Sequence, residues 1–159
     1  MVLNGSLEIK TLYITLDSRP EAGTYHWGLI ITDANDEPVL HHASNTNGPW
    51  SYQRRLDNPD ESMTLVAIVR IAKVKSVSEA EQVIQSISAS GYPSQRTSEA
   101  FTCRIWVKDV LVALEENGVI VLPNDIDNVE GVAIEQGYLY ASHSEQGGGA
   151  TVINDAFSG

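Results

Sequence analysis

The chain holds a single cysteine, Cys103, and four histidines, His26, His41, His42 and His143. A cysteine does nucleophilic chemistry when its thiolate is stabilised and an imidazole stands by to move the proton. Cys103 lies in Phe101-Thr102-Cys103-Arg104-Ile105-Trp106-Val107, which reads as the start of a helix running to about Leu114 with Asn117-Gly118 as its stop. Thr102 suits the N-cap, and the unpaired N–H groups and dipole of a helix start favour a negative charge on the sulfur. Cys103, Val107, Val110, Leu111 and Leu114 share one stripe at helical spacing, so the sulfur faces whatever the helix packs on.

The imidazoles arrive on a predicted hairpin. Tyr25 to Thr32 is β-rich and apolar on both faces, as a central strand is; Asp33-Ala34-Asn35-Asp36 is a turn cluster, and Pro38 to Ser44 is the returning arm. His26 shares a face with Gly28 and Ile30, and Gly28 would let the cysteine helix approach beside His26. A three-residue turn sets His26 opposite His42, whereas a four-residue turn aligns Gly28 with His41. Register thus chooses between the two, and the directly opposed pair favours His42.

The remaining elements follow the same signals. Leu7 to Leu16 alternates as a first strand ended by Asp17 to Gly23, and Trp50 to Arg54 reads as a half-exposed strand. Met63 to Val74 contains the longest β-branched run. Ser76 and Glu79 have capping-box spacing ahead of a short helix ending before Gly91. Asp127 could cap a last helix, and after the Gly-rich link at 146–149 the chain reads as a C-terminal tail, leaving one α+β domain over residues 1–145. The expected fold is an antiparallel sheet packed against the helix that carries Cys103 at its N-terminus.

Composition narrows the partners. A net charge of −11 with ten Lys and Arg disfavours nucleic acid and anionic lipid, both of which need basic patches. One cysteine allows no internal disulfide, residues 1–6 lack the pattern of a secretion signal, and no apolar run approaches the roughly 18 residues of a membrane span. These features read as a cytoplasmic protein with a small-molecule or peptide substrate. No P-loop, paired CxxC or HExxH motif is present, so no cofactor is expected.

His26-Trp27-Gly28, a hairpin, a second histidine and then a cysteine opening a helix resemble the circularly permuted papain-like (NlpC/P60-type) fold. The lecithin:retinol acyltransferase-like proteins belong to that fold, with a His-Trp-Ala strand and an Asn-Cys-Glu-His helix start. The chain is also similar to small fungal proteins of unassigned function that carry His-Trp-Gly, Gly-x-Trp and Thr-Cys-Arg-x-Trp segments. The resemblance implies Cys103 as a nucleophile forming a thioester, His26 as base and His42 as the group that orients it. It thereby implies a thiol-dependent hydrolase or acyltransferase. Thr102-Cys103-Arg104-Ile105 departs from the acyltransferase helix start, and no membrane-anchoring segment is present. A small amide, ester or thioester suits the chain better than a lipid.

Tyr25, beside the proposed base, could assist an oxyanion, and Asn45 and Trp50, in the loop after the histidine strand, could rim the site. Arg54, with Arg55, could hold an anionic substrate group. Trp27 and Trp106 read as core. Two other readings compete: an inert binding protein in which the same residues are packed remnants, and a zinc site built from His26, His42 and Cys103.

Overall fold

The computed structural model describes residues 3–19, 24–35, 37–46, 48–57, 59, 62 and 64–157. Pro20 to Gly23, Asp36 and Met63, read above as strand end, turn and strand start, lie outside them, as do Ser158 and Gly159.

Among the described residues the chain is α+β, a six-stranded mixed sheet with three α-helices. Strands β1 (Thr11–Ser18), β2 (Tyr25–Thr32), β3 (Pro38–Ser44), β4 (Ser51–Leu56), β5 (Leu65–Lys73) and β6 (Thr151–Ile153) lie in the order β4-β3-β2-β1-β5-β6. Neighbours are antiparallel except β6, which pairs parallel to β5. The expected all-antiparallel sheet is corrected by this strand, which occupies the segment read as a tail. Val152 and Ile153 are buried there, and burial of β-branched side chains on the sheet edge outweighs the freedom of the preceding glycines.

Helices α1 (Val77–Ser86), α2 (Cys103–Glu116) and α3 (Ile126–His143) supply the helical layer. Their starts follow local chemistry. Ser76 accepts the Glu79 N–H, Thr102 accepts the Ile105 N–H, and Asp125, rather than Asp127, accepts the Asn128 N–H at the start of α3. A single π-helical turn, 144–148, extends α3. No helix among the described residues is long and apolar enough to cross a membrane.

The two faces of the sheet are unlike. Leu12, Ile14, Leu16, Tyr25, Trp27, Leu29 and Ile31 join Trp106, Val107, Val110, Leu111 and Leu114 of α2, Ile84 of α1 and Val129 of α3 in the main core. At about 1.5–3 kcal/mol for each large apolar side chain fully buried, this face dominates the stability of the fold. The reverse face gathers a smaller cluster of Tyr13, Ile30, Leu40, Leu65, Ile68 and Val152, flanked by Leu3 and Leu7. Helix α2 is held from its other side as well, where Lys108 bonds Asp127 and Glu130 of α3 at 3.0 and 3.1 Å.

Candidate functional site

Cys103 is the first residue of α2, directly after the Thr102 cap, and is 3% exposed. Its sulfur meets β2 where the β2–β3 ladder stops. Pairing ends at Leu29↔His41, and the Asp33 N–H bonds the Glu37 carbonyl at the turn, so the odd-numbered residues of β2 aim their N–H groups at β3. Trp27 is the next in that series. With β3 no longer paired there, the Trp27 N–H donates to Cys103 Sγ at 3.4 Å. Arg19, just past the end of β1, donates through Nη2 to the same sulfur at 3.3 Å. Sγ thus sits at a helix start with two N–H donors aimed at it.

Cys103 lines a cavity of about 320 Å³ together with Arg19, Tyr25, Trp27, Arg104, Ile134 and Tyr138. Arg104 is neutralised by Glu130 of α3. A larger cavity, about 530 Å³, lies farther along α2 between Ile87, Tyr92, Phe101 and Val112, and Cys103 does not line it.

The histidines are arranged differently from expectation. His26 Nε2 and His42 Nδ1 are 2.8 Å apart with their rings nearly perpendicular, so the two residues favoured as neighbours are hydrogen-bonded. The register that unites them is neither of the two considered. Leu29↔His41 and Thr32↔Pro38 set Gly28, not His26, level with His42. His26 reaches His42 diagonally on the same face.

That face is the reverse of the one α2 covers. Tyr25, Trp27 and Leu29 point toward the helix, and His26, Gly28 and Ile30 point away from it. A Cβ on Gly28 would lie 2.9 Å from Thr15 Oγ1 and 3.3 Å from His42 Cβ, so Gly28 accommodates neighbours on the reverse face and not the helix. The expected contact of α2 beside His26 is therefore corrected. Among the described residues, Cys103 Sγ bonds Arg19 and Trp27 and neither histidine. The zinc set of His26, His42 and Cys103 is divided by the sheet, and no group of three candidate ligands assembles among the described residues.

Electrostatics follow the same division. Burial, then the neighbouring His42 and Arg19 charges, push His26 down to about 4, leaving it neutral at pH 7. Burial, then Arg55, also lowers His42, against a hydrogen bond with Gln53 that raises it. Asp17, cross-strand partner of His26, is pushed up to about 6, chiefly by burial and against the hydrogen bond it accepts from Thr64. His41 lies on the helix face, fully buried, with Nδ1 2.7 Å from the Tyr52 hydroxyl. Burial takes it down to about 4. Tyr52 in turn packs on Trp106, so His41 is engaged in joining β3 and β4 to α2.

Of the other candidates, Tyr25 lines the Cys103 cavity, as a substrate-contacting residue should. Asn45 is exposed in the turn after β3 and does not line it. Trp50 packs edge-on against Phe101 and over Gly91, whose φ of 93° glycine adopts without strain. It braces the chain entering α2. Arg54 is held by Glu81 of α1 at 2.6 Å, away from the sulfur. Trp27 and Trp106 are buried core residues, 3% and 1% exposed.

Sequence reasoning passed over Arg19, the Trp27 N–H and Asp17. Only the amide is invisible in side-chain patterns. Arg19 was detectable, since Ser18 pairs with Tyr25 and the residue after it must lie beside the start of β2. No curated protein matches the chain, and no solved structure does. Residues 10–146 match a protein family of unknown function, DUF6914, and the chain belongs to that family.

Proposed function

We propose that this protein is a thiol-dependent hydrolase or acyltransferase that uses Cys103 to take an acyl group from a small ester or thioester. The observation that carries the reading is Cys103 itself, which starts a helix, lines a cavity and has its sulfur bonded by Arg19 and the Trp27 N–H. N–H donors of this kind hydrogen-bond a thiolate, the form in which a cysteine attacks. The order of histidine strand, hairpin and cysteine helix supports a permuted papain-like fold, while the reverse-face histidines argue for a departure from its Cys–His couple.

Cys103 Sγ would attack the acyl carbonyl, forming a C–S bond as the bond to the leaving group breaks. The Cys103 and Arg104 N–H groups, in the first turn of α2 ahead of the Ile105 N–H that Thr102 accepts, are at hand for the oxyanion. Among the described residues no imidazole is bonded to the sulfur to hand a proton to a leaving amine. Thiolates and activated alkoxides leave without one, which favours thioesters and esters over amides. Water or a second nucleophile then releases the acyl group.

Incubation with p-nitrophenyl acetate tests this. A burst of one nitrophenolate per chain, with a hydroxylamine-labile acetyl adduct on Cys103, is expected, and Cys103→Ala should abolish both. Release without a burst and without an adduct on the thiol would sink the proposal.

The 3% exposure of Cys103 favours a second reading, a binding protein whose thiol is packed and inert. A thiol that is acylated only after unfolding would select it.

A further inference from the structure

Arg54, Arg70, Arg96 and Arg104 each hold a carboxylate, and Arg55 acts on the half-buried Asp17. Arg19 differs. Among the described residues its guanidinium has no carboxylate partner and gives only Nη2 to the sulfur. In a chain with 21 acidic and ten basic residues, an arginine without an acid at the mouth of a cavity is conspicuous. Its planar group offers further N–H donors beyond the one used, in the geometry that binds a carboxylate through two parallel hydrogen bonds.

Among the described residues, the rest of the cavity adds no other uncompensated charge. Arg104 is satisfied by Glu130, and Tyr25, Ile134 and Tyr138 form a largely apolar wall.

Resting on the reading of Cys103 as the nucleophile, we infer that the acyl donor carries a second, anionic group, a carboxylate, which Arg19 receives while the sulfur attacks the carbonyl. The substrate class is a monoester or monothioester of a short dicarboxylic acid. One guanidinium matches the single charge of a carboxylate, whereas a phosphate would leave much of its charge uncompensated. The short chain follows from the geometry, because donor edge and sulfur belong to neighbouring atoms of one contact. In the step, the Cys103 thiolate forms a bond to the acyl carbon, the C–S bond of the thioester breaks, and the leaving thiolate departs with the electron pair.

The test compares two thiophenyl thioesters, the glutaric monothioester and the butyric thioester, scored by acyl-protein mass and thiophenol release. The glutaryl donor should acylate Cys103 faster by about tenfold or more, the size of one charge-assisted contact. Arg19→Gln should abolish that preference, and Arg19→Lys should keep part of it. Equal rates for the two donors, or a preference that survives Arg19→Gln, would overturn the inference while leaving the thiol chemistry standing. If neither donor modifies Cys103 in the folded protein, the nucleophile reading fails and the inference falls with it.

Discussion

Strand β2 serves two unlike faces. Through Tyr25, Trp27 and Leu29 it meets the helices, and there the Trp27 amide points at Cys103. Through His26, Gly28 and Ile30 it meets the reverse face, where His26 and His42 bond each other beside Asp17. One residue of register separates a base that touches the thiol from one that does not. Consecutive residues of a strand can therefore look like one constellation in sequence and lie on opposite sides of a sheet. Core volume decided the outcome, because the larger apolar set of β2 attracted the apolar stripe of α2.

Breaking the helix face should have the largest effect. Leu111 is fully buried in the main core, and Leu111→Ala should cost about 2–5 kcal/mol in chemical denaturation, with loss of the Cys103 cavity. A core that tolerated this change without measurable loss would mean that α2 is not anchored as described.

Acid titration should separate the faces next. His26 and His41 bind a proton less well in the folded chain, so each contributes stability present above about 6.5 and lost as pH falls through about 4. Asp17 has the opposite sign. Its folded value of about 6 exceeds the ordinary 3.8, so its contribution is present below 3.8 and lost as pH rises through 6. Each group is worth up to about 3 kcal/mol across its window. On the reverse face Asp17 opposes His26 and His42, while on the helix face His41 is the one histidine that contributes. Denaturation midpoints from pH 4 to 7 should thus flatten in His41→Gln and steepen in Asp17→Asn. A steeper acid limb in His41→Gln would contradict the assignment.

Gly28→Ala should sharpen the description of the reverse face alone. The added Cβ would crowd Thr15 and His42, at a cost of about 1–3 kcal/mol, and should leave Cys103 labelling unchanged. Impaired labelling would mean the two faces are coupled. Smallest of all, Arg54→Ala removes an exposed pair with Glu81 and should cost at most about 1 kcal/mol, with acylation unaffected.

Elements with strong local signals were legible in the sequence. The Thr102 and Ser76 caps, the buried stripe of α2, and the spans of β2 and β3 follow from residue chemistry. The first strand begins later than its alternation suggests, at Thr11, because Ile9 and Lys10 form a turn in which Lys10 has a φ of 48°. Two features depended on tertiary contacts. Strand β6 needs β5 as its template, and the pairing of Thr32 with Pro38 fixes a register that Asp and Asn turn propensities alone left open. The face presented by His26 could have been read from the contrast between Tyr25-Trp27-Leu29-Ile31 and His26-Gly28-Ile30, since the bulkier set takes the helix.

The most direct measurement is the iodoacetamide labelling rate of Cys103 at pH 7 in the native protein, Arg19→Gln and His26→Ala, read by intact mass. The single cysteine makes every adduct assignable. If Arg19 and the Trp27 amide hold the thiolate, labelling should slow by about tenfold in Arg19→Gln and stay within about twofold in His26→Ala. Slowing confined to His26→Ala would instead restore a Cys–His couple and contradict the division of the site by the sheet.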